Sequence, residues 1–394
     1  MTDAQYWLWL SLMNLSPKAR AAVIREYDTA EQAFRSPRGS FSNCRGVSPR
    51  EAELLEKRDL SGTEKALYEC EDQRIRILPF TDPEYPERLR QIYCAPAVLF
   101  VQGELPDIDN SPVLAVIGTR KASPYGIKMG QELAYQIANC GGTVLCLLTS
   151  GVDEAAARGA LLAERPCVAV LGTPHEGCTK ALREDFLRHG ALVSEYPPGR
   201  EQAKHFFRER NRIAAGLSVG VVVVEAPEKS GTALFVADAV EQGKDIFAVP
   251  GNADAANAFG TLNLLKEGAK LVTCGEEVME EYTDRFRAVI RPSGRKTTGT
   301  PKLQQPPLEE TRAEETKEDR TDQSQLREIL SKLTEEQLKI ISAIEHGSSH
   351  IDSIAALTGY TTARVLAQLT VLEIRGLVRR EPGRCFALNI ISKK

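Results

Sequence analysis

The sequence is short of several things that would fix a function at once. Its nine cysteines are scattered without a C-x-x-C pair or a matching pair of histidines, so metal ligation is not expected and free thiols in a reducing compartment are. Long apolar runs are missing: stretches such as VGVVVVEA at 219–226 are strand-sized and too short to span a bilayer. The start, MTDAQYWLWLSL, is apolar but has no basic region ahead of it and no small-residue cleavage site, so no secretory signal is read and a cytoplasmic location without membrane contact is expected. There is no excess of positive charge. The formal net charge is -4, and binding to a polyanion must therefore come from a local patch.

What is present divides the 394 residues into four, more than a single core can hold. Residues 1–75 show apolar positions three and four apart, in YWLWLSLMNL and REAELLEKRDL, and read as a helical module of helix-hairpin or SAM type. Residues 76–285 hold a proline-punctuated lead-in followed by apolar runs at 113–117, 143–148, 167–171, 220–225 and 246–249, which alternate with helical stretches. Runs apolar on both faces signal a parallel sheet with crossover helices. This is an α/β domain, a doubly wound Rossmann-like parallel sheet. Residues 286–330 shift to charged and small polar types and read as a disordered linker. Residues 331–394 read as three helices and a hairpin, the pattern of a winged helix.

In open α/β sheets ligands bind beyond the carboxyl ends of the strands, so the loops there carry the functional signal. The first, IGTRKASPYG, lacks both G-x-G-x-x-G and the G-K-[ST] ending of a P-loop. It offers Gly118 for a tight turn, Ser123 and Pro124 for a helix start, and Arg120 with Lys121 as donors to a phosphate. Ser230, Gly231 and Thr232 open a later helix, where amides and hydroxyls suit another phosphate. Aromatics make up only 6% of the chain, yet KHFFRERNR at 204–212 places Phe206 and Phe207 among Lys204, Arg208, Arg210 and Arg212. Residues 200–212 carry five Lys or Arg against Glu201 and Glu209. Cations on a phosphate backbone with an aromatic stacked on a base is the pairing used by single-strand binders. Phe207, leading into the basic run, is the expected stacking residue, and one of the two phenylalanines is expected in the core.

These residues resemble the DNA processing protein A family (DprA, also called Smf) of bacterial natural transformation. TDPEYPERLRQIYCAPAVLFVQG is similar to its D-x-x-Y-P lead-in, VIGTRKASPYG to its first phosphate loop, and FRERNRIAAGLSVGVVVVEAPEKSGT to its most specific stretch. IFAVPG, LLKEGAKLVT and the tail HIDSIAALTG…VLAQLTVLEIRGLVRR also fit. The resemblance implies single-stranded DNA binding and protection, loading of the recombinase RecA, a homodimer, and no catalysis, cofactor or metal. It places Arg120, Lys204, Phe207, Arg210 and Arg212 on the DNA, with Asn211 ordering the loop. The chain departs from the family pattern at several points. Cys146-Leu147 replace a Ser-Gly pair, Ala157 stands where a histidine is common, Arg208 replaces a proline, TPHEGCTKAL is shortened, and Asn263 lies one place late.

Two other classes compete. A phosphoribohydrolase-type enzyme would need a P-G-G-x-G-T-x-x-E loop, whereas the chain offers EKSGTALFVADAV. Asp153 and Glu225 are the carboxylates at strand ends; Glu225 is read as fixing loop geometry and Asp153 as a charge near a helix start. His175 and His189 have no partner acid in the sequence. A winged-helix transcription regulator would read a groove with 360–374, which offers only Thr362, Arg364, Gln368 and Arg375, so protein contact or modest duplex binding is the expectation there.

Overall fold

The computed structural model describes residues 3–178, 180–290, 334–344, 349–374, 378–381 and 385–388. They fall into two compact units, one within Met1–Lys302 and one within Leu303–Lys394.

The first unit opens with α1 (Asp3–Leu12), α2 (Pro17–Tyr27), α3 (Ala30–Arg35), α4 (Pro49–Glu56) and α5 (Thr63–Asp72). Their starts are written in the sequence. Ser16 and Thr29 cap α2 and α3, and Ser48 with Glu51 forms a full capping box on α4. The chain continues through β1 (Ile75–Pro79), α6 (Glu87–Arg90), β2 (Val98–Gly103), β3 (Val113–Ile117), α7 (Pro124–Asn139), β4 (Thr143–Cys146) and α8 (Val152–Leu162). It then forms β5 (Cys167–Val170), α9 (Lys180–His189), β6 (Gly190–Ser194), α10 (Phe206–Leu217), β7 (Gly220–Val223) and α11 (Gly231–Glu241). The unit closes with β8 (Asp245–Ala248), α12 (Phe259–Lys266), β9 (Lys270–Leu271) and α13 (Gly275–Glu280).

One nine-stranded sheet runs in the order β1-β2-β6-β5-β4-β3-β7-β8-β9. From β6 to β9 every pairing is parallel, while β2 joins β6 and β1 joins β2 antiparallel. The doubly wound sheet expected from the apolar runs is present, and the proline-rich lead-in supplies its antiparallel edge. Strand β6 was not among the expected runs. Connections from β3 lead to β4 on one side and the strand on its other side is β7, so the topological switch point lies between β3 and β7. One face is covered by α7, α8 and α9, with Leu133, Ile137 and Phe186 buried against Val116 and Leu192. The other is covered by α10 and α11, with Ile213, Leu217 and Phe235 packed on Ile117 and Val223.

The five N-terminal helices share a core with the antiparallel edge: Trp7, Trp9 and Leu55 are fully buried with Val98 and Phe100 of β2. Phe286 and Ile290 are buried with the α7 face, so the folded part reaches at least residue 290. The remainder of the expected linker lies outside the described residues. The second unit holds α14 (Glu335–Ile344), β10 (Ser349–His350), α15 (Ile351–Thr358), α16 (Thr362–Ile374), β11 (Val378–Glu381) and β12 (Cys385–Leu388), with strands ordered β10-β12-β11. Three helices enclosing Ile340, Ile354 and Leu369 over a small antiparallel sheet are a winged helix.

Candidate nucleic-acid interface

The loop after β3 is held from beneath. Ser123 caps α7, accepting from the Gly126 amide at 3.1 Å, with Pro124 in the first turn. The Glu225 carboxylate, just past β7, accepts from the Ser123 amide at 2.9 Å and hydroxyl at 2.5 Å and from Asn257 at 3.2 Å. Gly126 permits this approach, since a Cβ there would lie 2.3 Å from Oε2 of Glu225. Glu225 therefore fixes the loop. The expected cradle of free amides is not what the loop presents. The Gly118 amide donates to Asp153 at 3.2 Å, Thr119 to the Glu225 carbonyl at 2.9 Å, and Lys121 to the Thr119 hydroxyl at 3.3 Å. An amide already bonded and turned inward is not offered to a ligand, and Gly118 is a structural residue here. The side chains of Arg120 and Lys121 remain exposed and enter no ion pair among the described residues.

Helix α10 begins above the same edge. Phe206 is its buried aromatic, stacked on Tyr196 with ring centroids 3.7 Å apart. Phe207 is 36% exposed. It lies against Gly172 at the end of β5, and the Arg120 guanidinium sits over its ring at 5.9 Å. The structure thus joins Arg120 and Phe207, which are 87 residues apart, in a cation–π contact at the surface. Lys204 is exposed beside them in sequence. Arg208 is half-exposed and forms a two-pronged pair with Asp238 of α11, with one contact at 2.8 Å.

Arg210 and Arg212 point the other way. Arg210 is 3% exposed and donates to the carbonyls of Leu147 at 2.8 Å and Val170 at 2.9 Å, tying the ends of β4 and β5. Burial lowers its pKa to about 10, with Asp153 nearby opposing the shift. Arg212 donates to Glu195 at 2.7 and 2.8 Å, and Arg20 of α2 donates to the same carboxylate at 3.1 Å. Burial raises the Glu195 carboxyl, and the two guanidiniums more than reverse it, holding it below its ordinary value. Asn211 is also buried. None of the three presents its side chain to a surface ligand, which corrects the expectation that the whole basic run tracks phosphates. For Arg210 the reason is helical period: with Phe206 inward, Arg210 and Ile213 follow on the same face. That signal lay in the sequence once one phenylalanine was assigned to the core. Arg200 is likewise occupied, donating to the Ser11 carbonyl at 3.0 Å at the end of α1.

At α11, Ser230 is the N-cap residue but makes no side-chain cap, and its hydroxyl oxygen is enclosed without a partner. Gly231 faces open space and Thr232 is buried. Tyr125, not singled out by its sequence, donates to the Pro250 carbonyl at 2.9 Å on the wall of a cavity of about 460 Å³ that also takes in Ser123, Glu225 and Asn252. For acid–base chemistry the carboxylates are poorly placed. Asp153 is buried and bonded to Gly118 and Thr149, with burial raising its pKa. His175 is wholly buried against the Leu192 carbonyl at 3.2 Å, and burial lowers its pKa to about 4. Among the described residues no group of three or more His, Cys, Asp or Glu could hold a metal ion, and no helix is long and apolar enough to cross a membrane.

A doubly wound sheet with an antiparallel lead-in edge and an aromatic–cation contact over its carboxyl edge, in a chain that also folds a winged helix, defines a Rossmann-like α/β protein with a second, winged-helix unit. Residues 76–283 match the family model for DNA recombination-mediator protein A, and residues 322–384 that for the DprA winged helix domain. The chain belongs to the DprA/Smf family. It is 36% identical over 286 residues to Protein Smf of Escherichia coli, covering 71% of this chain and 75% of that protein. It is 27% identical over 397 residues to Protein Smf of a Synechocystis species, covering 97% and 98%. Among solved structures, DNA processing protein A of Streptococcus pneumoniae superposes with a TM-score of 0.62 at 30% identity, covering 71% of this chain and 98% of that one.

Proposed function

We propose that the chain binds single-stranded DNA at the carboxyl edge of its sheet, protects it, and passes it to RecA during DNA uptake, in the cytoplasm and without catalysis. The observation that carries this reading is Arg120 over the exposed ring of Phe207. A base stacks on the ring while Arg120, Lys121 and Lys204 take neighbouring phosphates, with Arg208 held back by its pair with Asp238. At the helix start of Ser230, Gly231 and Thr232, Gly231 faces open space and leaves room for a further phosphate. Membership of a DNA-processing family agrees with this assignment. Its reduced cation count argues for a short footprint in which stacking matters as much as charge.

A second copy of the chain is the proposed partner for the far edge of the sheet. There α11 exposes Leu234 and Val240, α12 exposes Phe259, and the edge strand β9 exposes Leu271, apolar surface of the kind that pairs subunits. The winged helix is proposed as a contact module. Its Arg364 is tied to Glu336 and lies over Tyr360, and Gln368 accepts from Gln337. Leu357 and Leu366 are exposed. Arg375 lies outside the described residues.

The test is binding of labelled oligothymidine and a matching duplex across a salt series. Wild type is compared with Arg120→Ala and Phe207→Ala. Preference for the single strand is expected, with Phe207→Ala costing about 1–3 kcal/mol of affinity. Arg120→Ala should lower the slope of log K against log salt by about 0.7. Equal binding of strand and duplex, untouched by either change, would sink the proposal.

A further inference from the structure

Another aromatic–cation contact, with its ring exposed, lies on the helical module, away from the carboxyl edge. Tyr93, in the segment between α6 and β2, is 64% exposed, and the Arg25 guanidinium of α2 sits over its ring at 5.2 Å. Lys18 is seven residues before Arg25 on the same helix face. Its stem lies across Gly46, whose φ of 108° lets the 44–47 turn press on α2. Arg45, next in the chain, is exposed. None of these three cations enters an ion pair among the described residues. The carboxylates nearby are engaged: Glu195 is buried between Arg20 and Arg212, and Glu51 accepts from Ser16 and Ser48. Glu26 is exposed on the side of Cys44, so three cations face one uncommitted carboxylate.

We propose that Tyr93, Arg25, Lys18 and Arg45 form a second single-stranded DNA contact, which holds the strand where it continues past the first. The ligand class rests on the function proposed above, but the residues are independent of it. An exposed ring beneath a guanidinium and flanked by unpaired cations is the chemistry that takes a stacked base and its adjoining phosphates. Spacing supports one strand over both contacts. Ile92 packs against Gly216, nine residues after Phe207 on α10 and so about 14 Å along its axis. That is a reach of a few nucleotides.

The experiment uses the full chain and two labelled oligothymidines, one of about 6 nucleotides to fill a single contact and one of about 30 to span both. Tyr93→Ala should weaken the long strand about tenfold and leave the short one within twofold. The double change Lys18→Ala with Arg25→Ala should lower the salt slope for the long strand by about 1.4. Since all three side chains are exposed, an unchanged urea midpoint will show that the fold is kept. Phe207→Ala run alongside separates the two readings. If it weakens both strands while the patch variants alter neither, the patch proposal is overturned and the surface is left to an acidic protein. If the patch variants act and Phe207→Ala does not, this contact stands and the carboxyl-edge assignment falls.

Discussion

Residues 117–126 and residues 200–212 both carry arginine and lysine to the carboxyl edge of the sheet, and they dispose of that charge differently. In the first stretch the backbone is committed: amides of Gly118, Thr119, Lys121 and Ser123 all find protein acceptors. The side chains of Arg120 and Lys121 are left outside. In the second the side chains are committed. Arg200 caps the end of α1, Arg208 pairs with Asp238, Arg210 ties two strand ends and Arg212 shares Glu195 with Arg20. Only Lys204 among its five cations enters neither an ion pair nor a hydrogen bond within the described residues. A count of positive charges is therefore a poor guide to a polyanion site. What decides is whether each guanidinium already has acceptors, because a buried one left unpaired would be costly.

The sharpest way to break this contrast is Glu195→Ala. It leaves Arg20 and Arg212 facing each other in a buried site, and a loss of about 3–5 kcal/mol in urea unfolding is expected. A loss below about 1 kcal/mol would mean that the bridge is solvated and its arginines available. Next comes Arg210→Met, which removes charged hydrogen bonds to two carbonyls. Stability should fall by about 1.5–3 kcal/mol, while the salt slope of the folded protein for oligothymidine stays at the wild-type value. A slope reduced as much as by Arg120→Ala would return Arg210 to the DNA. The smallest effect concerns a half-buried carboxylate. Glu51 is raised by its partial burial but lowered further by the Ser48 and Ser16 bonds, to about 2. Its contribution is thus present above the ordinary carboxylate range and is lost as pH falls from about 4.5 toward 2. In Glu51→Gln the urea midpoint should change less across that window than in wild type.

Much of the fold could be read from the chain because its determinants are local. The apolar runs at 113–117 and 220–225 are β3 and β7, the second ending two residues early since Val224 and Glu225 stay buried in the loop. Strand β6 escaped because α9 runs into it directly, His189 into Gly190, with no turn residues between. Arg120 and Phe207 each read as ligand-side residues, but their contact across 87 residues is not legible in the chain. The inward face of Arg210 could be read from helical period once Phe206 was in the core, whereas the partners of Arg210 and Arg212 could not. Their partners, the carbonyls of Leu147 and Val170 and the carboxylate of Glu195, lie 63, 40 and 17 residues away, and spacing within α10 does not disclose them. The inward turn of the Gly118 amide depends likewise on Asp153, 35 residues on.

The bridge from Arg20 to Arg212 spans α2, the segment after β6, and α10. Its consequence is for anyone who wishes to cut or recombine the molecule. A fragment starting near residue 76 would lose the cover over Val98 and Phe100 and leave Glu195 with half its counter-charge. It would also take away the acceptor that Ser11 offers Arg200. The first five helices are thus not a detachable appendage, and a chimera that borrows them from another family member must bring a cation at position 20 to match Glu195.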